Sequence, residues 1–278
     1  MTTHAKQFND AMGRINPGDD AAHAQQAHTE VSEALKADPK LKDLDISPIL
    51  IGSYKRQVSI RRVKDVDVFA RLKKATASTR PGDIMDHVAV VLEDTFPDRV
   101  ERQHRSFKVD FPDFDLSVDV VIARPCVKHP EEHWQIPEKI EEDGNARWVE
   151  THPDRMTELT TEANKTYLLN ADDAKSGAYV RVVKLVRQVR RTWGDDQPGG
   201  YYFEVLTWHA FQDLQPEEST LAGYLTVVLR HIADHLPDYE SDGPVDPTLD
   251  GKTIKSKATP EQVRQAAKRM AEAADLAE

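Results

Sequence analysis

The sequence predicts an α+β fold in which a mixed lobe of helices and strands precedes a lobe built from helices alone. Alternating apolar and polar residues in 105–111 and 116–122 predict strands, whereas apolar residues at helical spacing in 178–193 predict a long helix. Mixed elements followed by helices are typical of two successive structural units. We therefore predict a catalytic lobe with an N-terminal helix at 1–125 and a helical lobe at 126–278, sharing one interface.

The composition argues against several classes of protein. Apolar residues make up 39% of the 278 residues, and no apolar run approaches the ~18 residues that cross a bilayer. The N-terminus lacks the apolar run of a secretory signal, and the single cysteine has no intrachain partner, so we expect a cytoplasmic protein. Because the net charge is -11, we expect neither a membrane nor a long nucleic-acid duplex as a partner.

The remaining elements of the mixed lobe are predicted from helix formers and short apolar runs. We expect helices over 19–36 and 83–95, the second capped by Asp83, and a short strand over 47–51. Residues 125–160 are mixed in character, and we interpret them as the crossover into the helical lobe.

The spine of the predicted helical lobe is the helix over 178–193, which has one apolar face. Further helices are predicted over 201–213 and 219–235, with Ser219 placed to cap the second. Thr259 is placed to cap the last helix of the chain. The apolar face of the spine consists of Val182, Val186, Val189 and Trp193.

Three acids form the candidate catalytic centre. Asp65 and Asp67 lie two residues apart in a predicted strand, so their side chains share one face, and Asp119 lies on the polar face of another strand. Carboxylates this close raise one another's pKa, and a cation between them removes that conflict. The set suits two Mg²⁺ or Mn²⁺ ions and phosphoryl transfer to a hydroxyl. By itself, however, a D-x-D pattern more often marks solvated acids on an exposed sheet face.

A Gly-Ser pair precedes these acids. Gly52 lets the backbone approach a phosphate closely, and the hydroxyl of Ser53 can donate to a phosphate oxygen. A short helix that begins there would also direct free N–H groups at a triphosphate. The plain alternative is that Ser53 only caps this helix, and the two interpretations are compatible because both use the same helix end.

Taken together, these motifs resemble a known superfamily. The Gly-Ser pair, the D-V-D triplet and the S-V-D-V-V segment around Asp119 are similar to the signature of polymerase-beta-like nucleotidyltransferases. Within it, the chain most resembles the bacterial cyclic-oligonucleotide synthases, over residues 20–275. The resemblance implies the polymerase-beta-like fold, NTP substrates and a role in antiviral defence, with an effector or regulator protein as a partner.

The resemblance extends to nucleotide contacts in the helical lobe. VVKLVRQVRRTW resembles the family's spine helix, and its Lys184 matches a lysine that contacts the donor triphosphate. Tyr201 is a candidate for stacking on a base. The family has a phosphate-binding serine where this chain has Gly200, so either the product differs or Lys184 and Arg56 carry more of the phosphate binding here.

The charges around Lys184 also have a plain interpretation. Five cations lie within 181–191, and most charged helix stripes are solvated faces. In an acidic protein such a cluster favours a contact with a polyphosphate or nucleotide.

A second motif has the residue types of a zinc site. Cys126, His129 and His133 are spaced Cys-x2-His-x3-His, as zinc ligands can be. No fourth ligand is evident and Pro130 interrupts the segment, so the pattern favours a loop without zinc.

Our leading prediction is a metal-dependent, template-independent nucleotidyltransferase that joins NMP units from NTPs into a cyclic oligonucleotide. Two alternatives stay open. The same fold suits an enzyme that makes linear oligonucleotides or modifies tRNA ends. A catalytically dead scaffold would bind nucleotides or a partner, but the presence of all three acids disfavours it.

Overall fold

The computed structural model shows two compact units. A mixed unit comprises Pro17–Lys55 and Arg62–Asp154, and a helical unit comprises Met1–Asn16, Arg56–Arg61 and Arg155–Glu278. The residues that the structure describes are 3–18, 20–138, 147–170, 176–192, 197–213, 219–239 and 242–278.

Within these ranges, all regular strands come before residue 152 and the long elements after it are helices. The helices are α1 (Thr3–Ile15), α2 (Asp20–Ala37), α3 (Pro39–Asp43), α4 (Gly52–Lys55), α5 (Pro81–Thr95), α6 (Pro153–Thr166), α7 (Tyr179–Thr192), α8 (Gly200–Asp213), α9 (Leu221–His235) and α10 (Pro260–Ala277). The strands are β1 (Ile46–Ile51), β2 (Asp65–Leu72), β3 (Val100–Arg102), β4 (Phe107–Phe111), β5 (Leu116–Pro125), β6 (Trp134–Pro137) and β7 (Trp148–Thr151).

The sheet of the mixed unit is mixed in direction. Its strands follow the order β1-β2-β5-β4-β3, and β6 pairs with both β5 and β7. Only β2 and β5 run parallel among the described pairs, and their register sets Asp67 directly opposite Asp119. The crossover between these two strands contains α5, as a parallel connection requires a long return.

Alternation along the two central strands determines which face of the sheet is buried. Val66, Val68, Val118 and Val120 are fully buried in a core that also includes residues of α2 and α5. Because successive side chains point to opposite faces, the acids between these valines lie on the other face.

The helical unit is built around α7. Its fully buried Val182 belongs to a core that includes Phe203 and Phe211 of α8. The last helix begins with a capping box, in which Thr259 and Gln262 bond to each other's backbone N–H groups. The structure therefore confirms the predicted cap of α10 and the apolar face of α7 as far as Val189; Trp193 lies outside the described residues.

Three local predictions are wrong. The segment 125–160 contains β6 and β7, which extend the sheet, where we expected a crossover. The N-cap of α5 is Arg80, and Asp83 instead lies in the first turn and binds the Arg80 guanidinium. The N-cap of α9 is Thr220, one residue after the predicted Ser219, and its hydroxyl accepts from the N–H of Gly223.

The compact units differ in extent from the predicted domains. Helix α1, predicted as part of the catalytic lobe, belongs to the helical unit together with the short segment Arg56–Arg61. The mixed unit continues to Asp154, because β6 and β7 pair with its sheet. The functional division at 1–125 and 126–278 stays a prediction.

Candidate active site

The predicted catalytic acids lie on adjacent strands of the mixed unit. Asp65 and Asp67 are on β2, and Asp119 is on β5. Asp65 is exposed, whereas Asp67 and Asp119 are half-buried and directly paired in register. On the other side of β5, Lys108 of β4 is paired with Asp119. The structure therefore brings Asp67 and Asp119 together as predicted, with one cation beside them.

Asp119 is the acid most perturbed by its surroundings. Burial, and to a smaller extent the nearby charge of Asp65, raise the pKa of its carboxyl to about 6, while Lys108 opposes both effects. Its Oδ1 atom is buried and has no hydrogen-bond partner. A buried acceptor without a donor is costly, and a bound cation would satisfy it.

The donor set fits a hard divalent cation. Carboxylate oxygens are the protein ligands that Mg²⁺ prefers, and Mg²⁺ is usually held by one or two carboxylates together with substrate phosphates. No group of three or more His, Cys, Asp or Glu side chains in the described part of the chain is already arranged as a metal site. Asp67 and Asp119 thus fit as protein ligands of a site that other ligands complete, and the role of Asp65 stays a prediction.

Gly52 makes room for one of these acids. Its φ of +73° lies in the left-handed region, and a Cβ built there would lie 1.7 Å from Oδ2 of Asp67. The structure shows that this glycine permits the close approach of a carboxylate, and the predicted close approach of a phosphate stays a prediction. Ser53 follows it in α4, half-buried, and the hydroxyl of Tyr54 donates to the carbonyl of Ala21 and so ties α4 to α2.

Arg56 is buried in the helical unit. Its guanidinium donates from Nε and Nη2 to both carboxylate oxygens of Glu204, at 2.6 and 2.9 Å. The two side chains are 6% and 0% exposed. A guanidinium held this way fixes the segment Arg56–Arg61 to α8, and a direct contact of Arg56 with phosphate stays a prediction.

Lys184 and Tyr201 also lie in the helical unit. The Nζ atom of Lys184 donates to Oδ1 of Asn16 at 2.8 Å, and burial together with the charge of Arg181 lowers its pKa. Tyr201 is 39% exposed, yet burial and the carboxylate of Asp246 raise the pKa of its hydroxyl. The role of Tyr201 in stacking on a base stays a prediction.

Sequence reasoning missed Glu204. This carboxylate accepts from Arg56, and its Oε2 atom also lies 3.7 Å from Nη1 of Arg187. The available signal was an acid inside the apolar stretch YYFEVL, because a buried acid is rarely without a cation. The sequence did not identify that cation, because Arg56 lies 148 residues away in the chain.

In the structure, the cysteine and the histidines of the Cys-His motif have different contacts. Cys126 is buried, and its backbone N–H donates to the carbonyl of His133. The His133 ring packs between those of His129 and His152, and its Nδ1 atom bonds the carboxylate of Glu150. The histidines therefore take partners other than the cysteine.

The family is shown by a comparison with models of known domains. The model of the Second Messenger Oligonucleotide or Dinucleotide Synthetase domain matches residues 1–164, more than half of the chain. The chain belongs to this family. The predicted resemblance to cyclic-oligonucleotide synthases and the predicted nucleotidyltransferase class are thereby confirmed.

Individual relatives of this synthetase span nearly its whole length. The cyclic AMP-AMP-AMP synthase of Acinetobacter sp. (strain ATCC 27244 / 9458) is 27% identical over 292 residues, covering 100% of this chain and 79% of the relative. The solved structure of E. coli MS115-1 CdnC with ATP has a TM-score of 0.71 at 16% identity and covers 99% of this chain and 91% of that one. The CdnC:HORMA-deltaN complex has a TM-score of 0.69 at 17% identity, covering 98% and 89%. These two structures confirm the predicted fold.

Replacing Gly52 of the synthetase with alanine tests its role beside Asp67. We expect a loss of activity of at least about 100-fold, because the added Cβ displaces the Asp67 carboxylate, which we predict to act on a transferring phosphoryl group. Gly18→Ala is the matched control, since Gly18 also has a positive φ but open space around its Cβ position. Both variants carry left-handed strain of roughly 1 kcal/mol. Equal activities of the two variants would contradict the proposed role of Gly52.

The pH dependence of stability tests the desolvation of Asp119. Its folded pKa is raised, so its contribution to stability is full below pH 3.8 and is lost as the pH rises through about 6. In EDTA, Asp119→Asn should therefore be more stable than the parent at pH 8, by about 1–2 kcal/mol after solvent screening, and equally stable near pH 3.5. Urea unfolding at both pH values measures this. Mg²⁺ should stabilise only the parent, and a pH-independent difference would contradict the prediction.

Replacing Glu204 with glutamine tests the buried ion pair. The variant leaves the Arg56 guanidinium buried without a carboxylate, and we expect a loss of about 3–5 kcal/mol in the free energy of unfolding. Glu261→Gln is the control, because Glu261 makes an exposed pair with Arg264 and should change stability little. Urea unfolding compares the two, and similar small effects would show that the Arg56–Glu204 pair is energetically neutral.

Proposed function

We propose that this synthetase joins AMP units from ATP into a cyclic oligonucleotide, with three AMP units as the expected product. The family supports the reaction class, and the whole-length relative that is a cyclic AMP-AMP-AMP synthase supports the base and the ring size. The observation that carries the proposal is the paired register of Asp67 and Asp119 on two parallel strands.

Nucleotidyltransferases generally depend on a divalent metal, and Asp67 and Asp119 would hold it in this chain. We propose two ions, Mg²⁺ or Mn²⁺, with Asp65 as a further ligand that joins when the substrate phosphates complete the site. Bound there, the ions would activate the attacking hydroxyl and stabilise the charge that develops on the triphosphate.

The reaction needs an ordered exchange of bonds at phosphorus. A ribose hydroxyl oxygen of one nucleotide bonds to the α-phosphorus of a second, and the bond from that phosphorus to the pyrophosphate oxygen breaks. The hydroxyl proton leaves to a base or to water. The Oδ1 atom of Asp119 has no hydrogen-bond partner, so it is available to a metal ion that would hold the attacking hydroxyl.

Nucleotide binding is assigned to side chains in both units. In the mixed unit, Gly52 keeps the Asp67 carboxylate close to the backbone, and the adjacent hydroxyl of Ser53 is a candidate phosphate donor. In the helical unit, the ring of Tyr201 offers a stacking face, and Lys184 offers a charged donor. We assign Arg56 a positioning role, because both of its bonds to Glu204 are internal.

The partner and the location belong to the same proposal. The described helices include none with the length and apolar character needed to cross a membrane. E. coli CdnC was solved in a complex named CdnC:HORMA-deltaN, and we propose a regulatory protein partner for this synthetase as well. We further propose that it acts in the cytoplasm in antiviral defence, where NTPs are available.

A product assay tests the proposed function. The protein is incubated with all four NTPs and Mg²⁺ or Mn²⁺, and the products are identified by mass before and after phosphatase treatment. We expect a phosphatase-resistant product made from ATP, and no product in EDTA. Asp67→Ala should lower the rate by about 10³-fold or more, because it removes charge stabilisation at a transferring phosphoryl group.

The control for Asp67→Ala is Asp86→Ala, which removes an exposed carboxylate of the same unit. A phosphatase-sensitive product would instead support the linear-oligonucleotide alternative. Full activity in EDTA would contradict the metal mechanism, and near-normal activity of Asp67→Ala would place the catalytic centre elsewhere.

A further inference from the structure

A row of charged side chains crosses the face of the sheet that lies opposite the valine core. The register pairs Asp67 of β2 with Asp119 of β5, and Asp119 with Lys108 of β4. On its far side, Lys108 is paired with Glu101 of β3. Residues paired in this way point to the same face, with Cβ atoms about 4.5–5.5 Å apart. Lys108 therefore has a carboxylate beside it on each neighbouring strand.

The strand itself holds the Lys108 ammonium in place. Its Nζ atom lies 2.8 Å from Oδ1 of Asp110, two residues further along β4 and hence on the same face. Phe107, Val109 and Phe111 alternate with these two residues and are buried in the core of the mixed unit. The side chains of Lys108 and Asp110 stay 34% and 47% exposed, so the ammonium is both fixed and accessible to solvent.

The charge of Lys108 acts on Asp119. Burial and the charge of Asp65 raise the pKa of the Asp119 carboxyl, and the charge of Lys108 lowers it. The Oδ1 atom of Asp119 is nevertheless buried without a hydrogen-bond partner. The lysine thus stabilises the negative charge of this carboxylate without a bond to that atom. An ion bound at Oδ1 and the Lys108 ammonium would act on the same carboxylate.

A fixed positive charge beside such an atom has opposite effects on two forms of a metal. A free divalent cation is repelled by the ammonium. A nucleoside triphosphate that carries one Mg²⁺ has a net charge of about -2 and is attracted by it. Both effects are strong over the distance between paired residues, which is shorter than the screening length of about 8–10 Å.

We propose that Lys108 is the resident counter-ion of Asp119 and makes metal binding at this carboxylate depend on the nucleotide. Lys108 is a positioning residue in this role, because its charge decides in which form the ion reaches the acids. The effect on the metal alone depends only on Lys108 and Asp119. The effect on the metal–nucleotide complex rests on the proposed function, because it takes an NTP as the substrate.

Mn²⁺ binding without nucleotide tests the first effect. Free Mn²⁺ is followed by electron paramagnetic resonance, and Lys108→Gln should lower the Kd about 10-fold or more, because the repelling charge is gone. Lys108→Arg keeps the charge and should stay within about threefold of the parent. Lys74→Gln removes an exposed lysine of the same unit and is the matched control, with no change expected. In an Asp119→Asn background, Lys108→Gln should have little effect, since the carboxylate through which it acts is gone.

Nucleotide binding tests the second effect. The probe is an ATP analogue with a methylene bridge between the α- and β-phosphates, measured at saturating Mg²⁺. Lys108→Gln should raise its Kd about fivefold or more, because an attracting charge is lost. The opposite signs separate the proposal from a structural role, since a variant that only disturbed β4 would weaken both kinds of binding.

Each outcome bears on a stated claim. Lys108→Met is also neutral and is measured in parallel, so that either folded variant decides. An unchanged Kd for Mn²⁺ in a folded neutral variant would overturn the proposal, as would a weakening of both kinds of binding. A Lys108→Arg variant that behaved like Lys108→Gln would overturn it too, because the charge would then not be the cause. If the parent makes no product but neutral variants still bind Mn²⁺ more tightly and the analogue more weakly, the proposed function fails and this proposal stands.

Discussion

The parallel pairing of β2 with β5 is the constraint on which the mixed unit depends. It places two carboxylates opposite each other, and burial of Asp119 makes the ionisation of that residue unfavourable. Lys108 is paired with Asp119 on the neighbouring strand and stabilises its negative charge only in part. The same lysine also forms a salt bridge with Asp110. A sheet selected only for stability would have no reason to keep such a pair.

The same pairing explains the geometry of the preceding turn. β1 runs antiparallel to β2 and ends opposite Asp67, so the chain must turn away at the point where the Asp67 carboxylate lies. This turn requires a residue with a positive φ and no Cβ, and Gly52 meets both requirements. The sequence presents the Gly-Ser pair and the acids as separate motifs. In the structure they are in direct steric contact, through Gly52 and Asp67.

The sequence was most informative where structure is local. Alternation predicted β2, β4 and β5, and capping chemistry predicted the start of α10, because both signals come from neighbouring residues. β6 and β7 were missed because each has four residues and is defined by pairing across a gap in sequence. The ion pair of Arg56 was missed for the same reason. Its partner Glu204 is distant in the chain, and a motif can show that an arginine is required without showing what it binds.

A net charge of -11 does not prevent the binding of a polyanionic substrate, because only charges close to the substrate affect it strongly. Exposed charges are screened beyond about 8–10 Å, so a triphosphate responds to nearby cations and very little to the mean charge of the chain. Five cations within 181–191 occupy about 15 Å of helix, which is long enough for one triphosphate. A long duplex carries charge over a much greater length and would meet the acidic remainder of the surface. The sequence therefore favours small, densely charged ligands over polymers as partners of this stripe, as the proposed function requires.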